Sequence, residues 1–419
     1  MQNEISRRRF VGQLPVSIAA GATATHAFAP ARVLGANDRI RIAIVGAGAR
    51  GQEDLKAAIA LPNIECVAMA DVYTRRHDEV RRFVPHIETY VDYRPLLERK
   101  DIDAVLIATP LHLHAPHFLD TIAAGKDLYS EKTMTWSIPE AIECRKAAQS
   151  SDRVVQIGLQ YESSGSLADT REWIKGGKLG KITQVESWMS RNSAHGKGQW
   201  VRPVPEDCNP KHVNWDLFLA NRSKAAFDAN KFINWRLFWE FSGGNLTENM
   251  VHQIAWIITA LDLQLPSSAC MSGGVFSEKD GREVPDVIAV TLEYPELVVV
   301  WQSTFNNKHF GMGERLLGSD GSVEHLMGAT DMVTGRPHDE ELRYYPEKVN
   351  QPTGVPAQGR RADQNHMANF FDCVRSRKQP NAPVEIGYKS AIAVHMANMA
   401  YREKRRITLD EAMAAKAMD

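Results

Sequence analysis

The sequence predicts an α/β protein whose first part is a doubly wound parallel sheet and whose second part is α+β. Three observations predict it. Arg39 to Val45 (RIRIAIV) is a β-branched run that leads straight into Gly46-Ala47-Gly48-Ala49-Arg50-Gly51 and then into DLKAAIAL, which has helical periodicity. Strand-like and helix-like segments then alternate as far as Gly158, the pattern of right-handed strand–helix–strand units. Beyond that point KITQVESWMSRN, PDVIAVTLEY, LVVVWQSTF, RLLGS and SVEHLM read as strands between Gly and Pro punctuation, while LTENMVHQIAWIITALDL reads as one strongly apolar helix.

The chain's 419 residues allow two or three domains with ample core. Its 50 Lys and Arg balance 51 Asp and Glu, so no basic field exists to hold nucleic acid or an anionic membrane. Small neutral ligands are the expected partners. The five cysteines form no C-x-x-C pair and no zinc spacing with His, and Cys66 and Cys373 lie in apolar runs as buried thiols would.

At the N-terminus SRRRFV is followed by LPVSIAAGATATHAFAPA, which carries no charge before Arg32. Residues 1–34 therefore read as an export signal, too short and too weakly apolar for a stable membrane span. Its arginine pair resembles a twin-arginine signal, which implies export of an already folded protein to the periplasm. A flexible basic tail is the alternative.

The first strand, turn and helix form G-x-G-x-x-G in the context that gives the motif meaning. Gly46 makes the tight turn, Gly48 lets a pyrophosphate approach the backbone, and Gly51 lets the helix pack on the strand. Ala49 and Arg50 open the helix whose positive end faces the phosphates. The next strand, IECVAMAD, ends in Asp71, placed to receive ribose hydroxyls. An acid there repels a ribose phosphate and favours NAD over NADP; Arg75 and Arg76 weaken that preference without reversing it. Strands DAVLIAT, DLYS and RVVQIG follow, alternating with helices HAPHFLDTIAAG and IPEAIECRKAAQ. Ligands collect at the carboxyl ends of such strands, where Thr109-Pro110, Glu131-Lys132 and Gln160 lie.

GAGARG, ADVYTRR, ATPLHLHAP, YSEKTMTWS, VVQIGLQYES and SGGNLTENMVH together resemble the successive motifs of the Gfo/Idh/MocA oxidoreductases. The resemblance covers nearly everything after residue 38. It implies a Rossmann dinucleotide-binding domain over 38–158 and a substrate domain over 159–360. The latter is built on an open, mixed, mostly antiparallel sheet whose exposed face joins copies into a homo-oligomer. Residues 361–419 are expected to pack back on the body as two amphipathic helices, MANFFDCVRSRK and SAIAVHMANMAYREKRR.

The resemblance also implies site residues. Lys132 matches the lysine of an E-K-P motif, with Thr133 where proline is usual, and reaches nicotinamide and substrate oxygen. Glu248 and His252 match D-x-x-x-H after the glycine pair Gly243-Gly244. On an α-helix the two share a face, so the carboxylate can orient an imidazole suited to proton exchange. His114 is placed beside the nicotinamide, with Glu131 and Gln160 at the cofactor. Tyr161, Arg191, Arg236, Glu248 and His252 are the candidate substrate residues. His112, His114 and His117 lack the carboxylates a metal site would add, so no metal is expected. Trp188, Trp200, Trp215, Trp235 and Trp239 offer aromatic faces for a sugar ring, with core packing as the other reading. The expected activity is NAD-dependent hydride transfer at a secondary hydroxyl of a sugar, glycoside or polyol. The alternative is a redox-neutral NAD-dependent glycoside hydrolase of the same superfamily.

Overall fold

The computed structural model describes residues 39–192, 198–327, 341–347, 355–356 and 364–415; the export signal expected over residues 1–34 lies outside them. Strands β1 (Ile40–Val45), β2 (Ile64–Ala70), β3 (Glu88–Tyr90), β4 (Ala104–Ile107), β5 (Asp127–Ser130) and β6 (Val155–Ile157) form one sheet in the order β3-β2-β1-β4-β5-β6. Every pairing in it is parallel. Its crossovers are α1 (Ala49–Ile59), α2 (Thr74–Arg81), α3 (Arg94–Leu97), α4 (His114–Ala123) and α5 (Ile138–Gln149). Strand β4 is buried on both faces, as helices on both sides of a parallel sheet require. The order reverses between β1 and β4, which places a crevice at their carboxyl ends.

After α6 (Gly165–Lys175) comes the second sheet. It is built from β7 (Ile182–Ser190), β8 (Ser268–Gly274), β9 (Val287–Glu293), β10 (Val298–Thr304), β11 (Met312–Gly318), β12 (Gly321–Met327), β13 (Glu341–Pro346), β14 (Val355–Pro356) and β15 (Ile407–Thr408). All its pairings are antiparallel except β7 with β10, so the sheet is open, mixed and mostly antiparallel. One face packs on helices, and Val299 and Trp301 of β10 point there. The other face is open, and Phe276 and Phe310 stand exposed beside it.

Between β7 and β8 the chain makes α7 (Trp215–Leu219), α8 (Ala229–Ile233) and α9 (Val251–Leu261). It closes with α10 (His366–Ser376), α11 (Val384–Glu403) and α12 (Leu409–Ala414). Two expectations for this tail change. Helix α11 is buried on every side from Gly387 to Ala400 rather than amphipathic, because it lies among α9, α5 and strand β8. Strand β15 pairs with β8, so the tail completes the second sheet as well as covering the first domain.

Helix α10 covers the first domain: Phe370 and Phe371 enter the core formed by Ile42, Ile44 and Tyr129. It ends at Arg377 in the left-handed conformation (φ 55°), whose guanidinium makes two 2.7 Å hydrogen bonds to the buried Asp127 carboxylate. Arg377→Gln leaves that carboxylate with the Val154 amide as its one hydrogen-bond donor among the described residues, and with the more distant charge of Arg153. Stability should fall by about 1–3 kcal/mol, read as a lower urea midpoint; an unchanged midpoint would show that the apolar face alone docks the helix.

Candidate active site and dinucleotide groove

The groove begins at the junction of β1 and α1. Gly46 has φ 86°, and a Cβ there would lie 2.7 Å from the Thr109 backbone nitrogen; on Gly51 it would lie 2.0 Å from the Gly46 carbonyl oxygen. These two glycines are required by the protein's own packing. Gly48 differs, since a Cβ there meets nothing within 4 Å. The space above it belongs to a cavity of about 260 Å³ lined by Gly46, Gly48, Asp71, Thr109, Pro110 and Arg236, among others. A dinucleotide fits this cradle, with its pyrophosphate at the start of α1.

Asp71 closes β2 as expected. One carboxylate oxygen accepts the Ala47 amide (2.7 Å) and the other the Tyr73 amide (2.8 Å), which fixes the carboxylate while each oxygen keeps acceptor capacity for a ribose hydroxyl. Burial pushes its pKa up against those two amides. Arg75 is bound to Glu79 and Asp207, and Arg76 to Glu79 at 2.6 Å. Both guanidiniums near the ribose end are thus already matched by carboxylates.

Glu131 and Lys132 close β5 and diverge. Glu131, 4% exposed, accepts from Arg50 Nε (3.1 Å) and Nη2 (3.0 Å) and from Gln160 Nε2 (3.0 Å). Neither Glu131 nor Gln160 is among the residues that line the groove; Glu131 supports α1 through Arg50. Lys132 Nζ reaches 116 residues along the chain and donates to the Glu248 carbonyl (2.7 Å) and Oε2 (3.3 Å). The Lys132–Thr133 peptide is cis.

Glu248 lies in a π-helical turn, Leu246–Met250, that precedes α9. This corrects the expected Glu248–His252 pair. The wider turn changes the phase of the side chains, and the carboxylate is held instead by Lys132 and by Arg236 Nε at 2.8 Å. Burial would raise the Glu248 pKa, but Lys132 and Arg236 outweigh it and hold the carboxyl at about 2.

His252 packs against Tyr161, ring centroids 5.2 Å apart, and its buried Nδ1 has no hydrogen-bond partner among the described residues. Burial, then the charges of Lys132, Arg50 and Arg191, pull its pKa well below 6.5. Burial also lowers that of Lys132, opposed by Glu248 and Glu131. The site therefore brings a neutral imidazole near a lysine ammonium whose proton is loosened. Arg191, itself lowered by burial, stands within electrostatic reach of Tyr161 and Glu248.

Other expected residues fall elsewhere. His114 turns Nδ1 to the Thr133 carbonyl (2.6 Å) and Nε2 to the Thr109 carbonyl (2.9 Å). Burial lowers its pKa, so a neutral ring donates to one of them at a time. It locks two turns rather than offering nitrogen to the groove, which His117 lines instead. His112 Nε2 donates to the Phe218 carbonyl. Of the tryptophans, Trp235 lines the groove under Arg236. Trp215 is core, stacked on Phe218, Trp188 hydrogen-bonds the Phe310 carbonyl beside the sheet's open face, Trp200 packs on Phe305, and Trp239 donates to the Glu283 carbonyl. Arg202 and Phe232 line the groove without any sequence signal, since nothing in their spacing ties them to the glycine loop.

A glycine-turned strand–helix junction, an acid closing the second strand and a parallel sheet with a reversed order define an NAD-binding Rossmann domain, joined here to a second domain. The chain belongs to the Gfo/Idh/MocA oxidoreductase family: the family's NAD-binding Rossmann fold model matches residues 40–159 and its C-terminal alpha/beta domain model residues 212–409. Scyllo-inositol 2-dehydrogenase (NAD(+)) of Bacillus subtilis is 26% identical over 144 residues, 34% of this chain and 42% of that protein. A glycosyl hydrolase family 109 protein of Shewanella pealeana is 29% identical over 210 residues, 45% of each. These matches span less than half the length of the curated relatives. Among solved structures, levoglucosan dehydrogenase in complex with NADH has a TM-score of 0.66 at 15% identity, covering 88% of this chain and 99% of that one. Aldose-aldose oxidoreductase from Caulobacter crescentus, complexed with glycerol, has a TM-score of 0.66 at 16% identity, covering 88% and 100%. At such identities the likeness is one of fold.

The glycines give a paired test. Gly48→Val should leave thermal stability nearly unchanged and abolish NADH binding, because the new side chain fills only the cradle. Gly51→Ala should cost about 1–3 kcal/mol or more through overpacking. Normal NADH titration of the Gly48 variant would move the dinucleotide out of this groove.

Proposed function

We propose that the protein transfers hydride between a bound nicotinamide, in NAD rather than NADP, and a secondary hydroxyl of a sugar, glycoside or polyol. The observation that carries this is the meeting of Lys132, Glu248, Arg236 and His252 where the first domain faces the second. A bound nicotinamide supplies hydride acceptance or donation at the substrate carbon. The protein's part is the proton. His252, neutral through the neutral range, accepts the hydroxyl proton as the carbonyl forms, and the Lys132 ammonium stabilises the oxygen as it loses that proton. In the reverse direction the same groups return it. Glu248 keeps Lys132 charged, and Arg191 and Arg236 are hydroxyl-binding donors. The sugar and inositol dehydrogenases among the relatives support this substrate class.

The second reading, redox-neutral glycoside cleavage, is favoured by one feature: the second domain covers the nucleotide groove, which suits a cofactor regenerated in place. The same proposal puts the enzyme outside the cytoplasm, on the strength of the arginine run and uncharged stretch near the N-terminus, and pairs copies of the chain through the open sheet face. NADH formation from inositols and aldoses, against aglycone release without net NADH, separates the two reactions.

Lys132→Met and His252→Ala should each keep NADH binding and lower turnover by roughly 10²- to 10⁴-fold. Near-normal turnover in both would move the chemistry away from this cluster. The pH profile follows from the shifts. Activity should hold as pH falls through 6.5, the ordinary histidine value, because His252 protonates only well below it. On the alkaline side it should fall with a midpoint under 10.5 as Lys132 loses its proton. Glu248→Gln removes the charge that raises Lys132, so the alkaline limb should move to lower pH; an unmoved limb would assign it to another group.

A further inference from the structure

The groove has a second wall that the family's first domain does not supply. Residues 198–241 leave the second domain and return across the carboxyl ends of β1 and β2. They are fastened there by backbone: the Thr74 amide donates to the His212 carbonyl (2.9 Å) and the Asn214 amide to the Val72 carbonyl (2.8 Å). Asp207 adds a latch, accepting from the Tyr73 hydroxyl (2.6 Å) and from Arg75 Nη1 (2.9 Å). Within this strap Trp215, Phe218, Phe238 and Phe241 form an apolar cluster against which Val72 packs. The strap is therefore a packed part of the fold.

Four arginines line the groove: Arg50, Arg76, Arg202 and Arg236. Arg50 is bound to Glu131 and Asp54. Arg76 is bound to Glu79 and Arg236 to Glu248. Among the described residues the Arg202 guanidinium has no hydrogen bond and no ion pair. Burial pulls its pKa down, and the like charges of Arg236 and Arg76 pull it further, with Glu53 of the first turns of α1 opposing. Its neighbours also locate it. Arg202 lines the same groove as Arg236, at the Lys132–Glu248 end, and Arg76, at the Asp71 end, and feels both charges as well as Glu53 of α1, which puts it between the two ends. Accumulated like charge in a partly buried groove calls for an anion, and the middle of a dinucleotide is its doubly charged pyrophosphate.

We propose that Arg202 binds the pyrophosphate from the second domain, opposite the glycine loop, and that the strap latched through Asp207 holds the dinucleotide as a resident group rather than an exchanging co-substrate. The proposal rests on the dinucleotide reading of the groove and not on the identity of the sugar. An arginine facing phosphate makes charge-assisted, bidentate hydrogen bonds, and a cofactor held between two domains leaves when the strap lifts.

The test is the release of NADH from the full chain, followed by loss of protein-sensitised nicotinamide fluorescence after adding excess ADP-ribose. Arg202→Gln should release NADH about 10- to 100-fold faster, the worth of one charge-assisted contact, and with a weaker dependence on salt; Arg202→Lys should recover part of the loss. Asp207→Asn should also speed release but keep the salt dependence of the unaltered protein, because it loosens the strap without touching phosphate. Release within twofold of the unaltered protein in both Arg202→Gln and Asp207→Asn would overturn the proposal while leaving the dinucleotide groove in place. Failure of the unaltered protein to bind NADH would overturn both. Slow, strap-dependent release without turnover of any sugar would support this proposal and count against the sugar substrate alone.

Discussion

The architecture of the site depends on one buried ion pair, Lys132 with Glu248. It joins the end of β5 in the first domain to the turn before α9 in the second. Glu131, next in the chain, holds Arg50 and Gln160 on the other side. Two adjacent side chains thus tie helix α1 and the π-helical turn Leu246–Met250 to one strand end. Such a pair contributes little net stability over apolar residues of equal volume, but removing one partner strands a buried charge at a cost of about 3–5 kcal/mol. Its value lies in position. The packing around it agrees: a Cβ on Gly158 would come within 2.5 Å of Glu131 Oε1, and one on Gly243 within 2.4 Å of the Thr247 side chain.

On the proposed reading, the charges divide the work between a lysine and a histidine. Lys132 helps to hold Glu248 ionised, and burial first, then the charges of Lys132, Arg50 and Arg191, keep His252 neutral. Lys132 is burdened by burial yet stabilised by Glu248, so it stays a donor whose proton is less firmly held than on an exposed lysine. A neutral acceptor beside a cationic donor is what alcohol oxidation asks of the protein. The groove repeats the theme at its other end, where carboxylates neutralise Arg75 and Arg76 while Asp71 is held by the Ala47 amide.

Much of this was legible in the sequence, and the failures have physical causes. The parallel strands were readable because β-branched runs end in motif residues with fixed jobs, as at Gly46 and Asp71. Strand β8, SACMSGG, carries no β-branched or aromatic residue and gave no signal. The Glu248–His252 pairing failed because a π-turn cannot be told from an α-turn by apolar spacing alone. Helix α11 was read as amphipathic because its charged ends mask a middle enclosed on all sides. The strap was invisible because its function lies in contacts with Val72, Tyr73 and Arg75, far away in sequence. Its tryptophans were readable as a group, but only the fold decides that Trp215 is core and Trp235 lines the groove.

The central claim is that Lys132 and His252 act as one unit on one substrate oxygen. A double-mutant cycle of kcat, built from Lys132→Met, His252→Ala and their combination, with NADH confirmed bound in each, tests it most directly. If the two share a single proton transfer, the double variant should be little slower than the poorer single variant. If instead the two losses multiply, the groups act independently and the shared-proton account is contradicted.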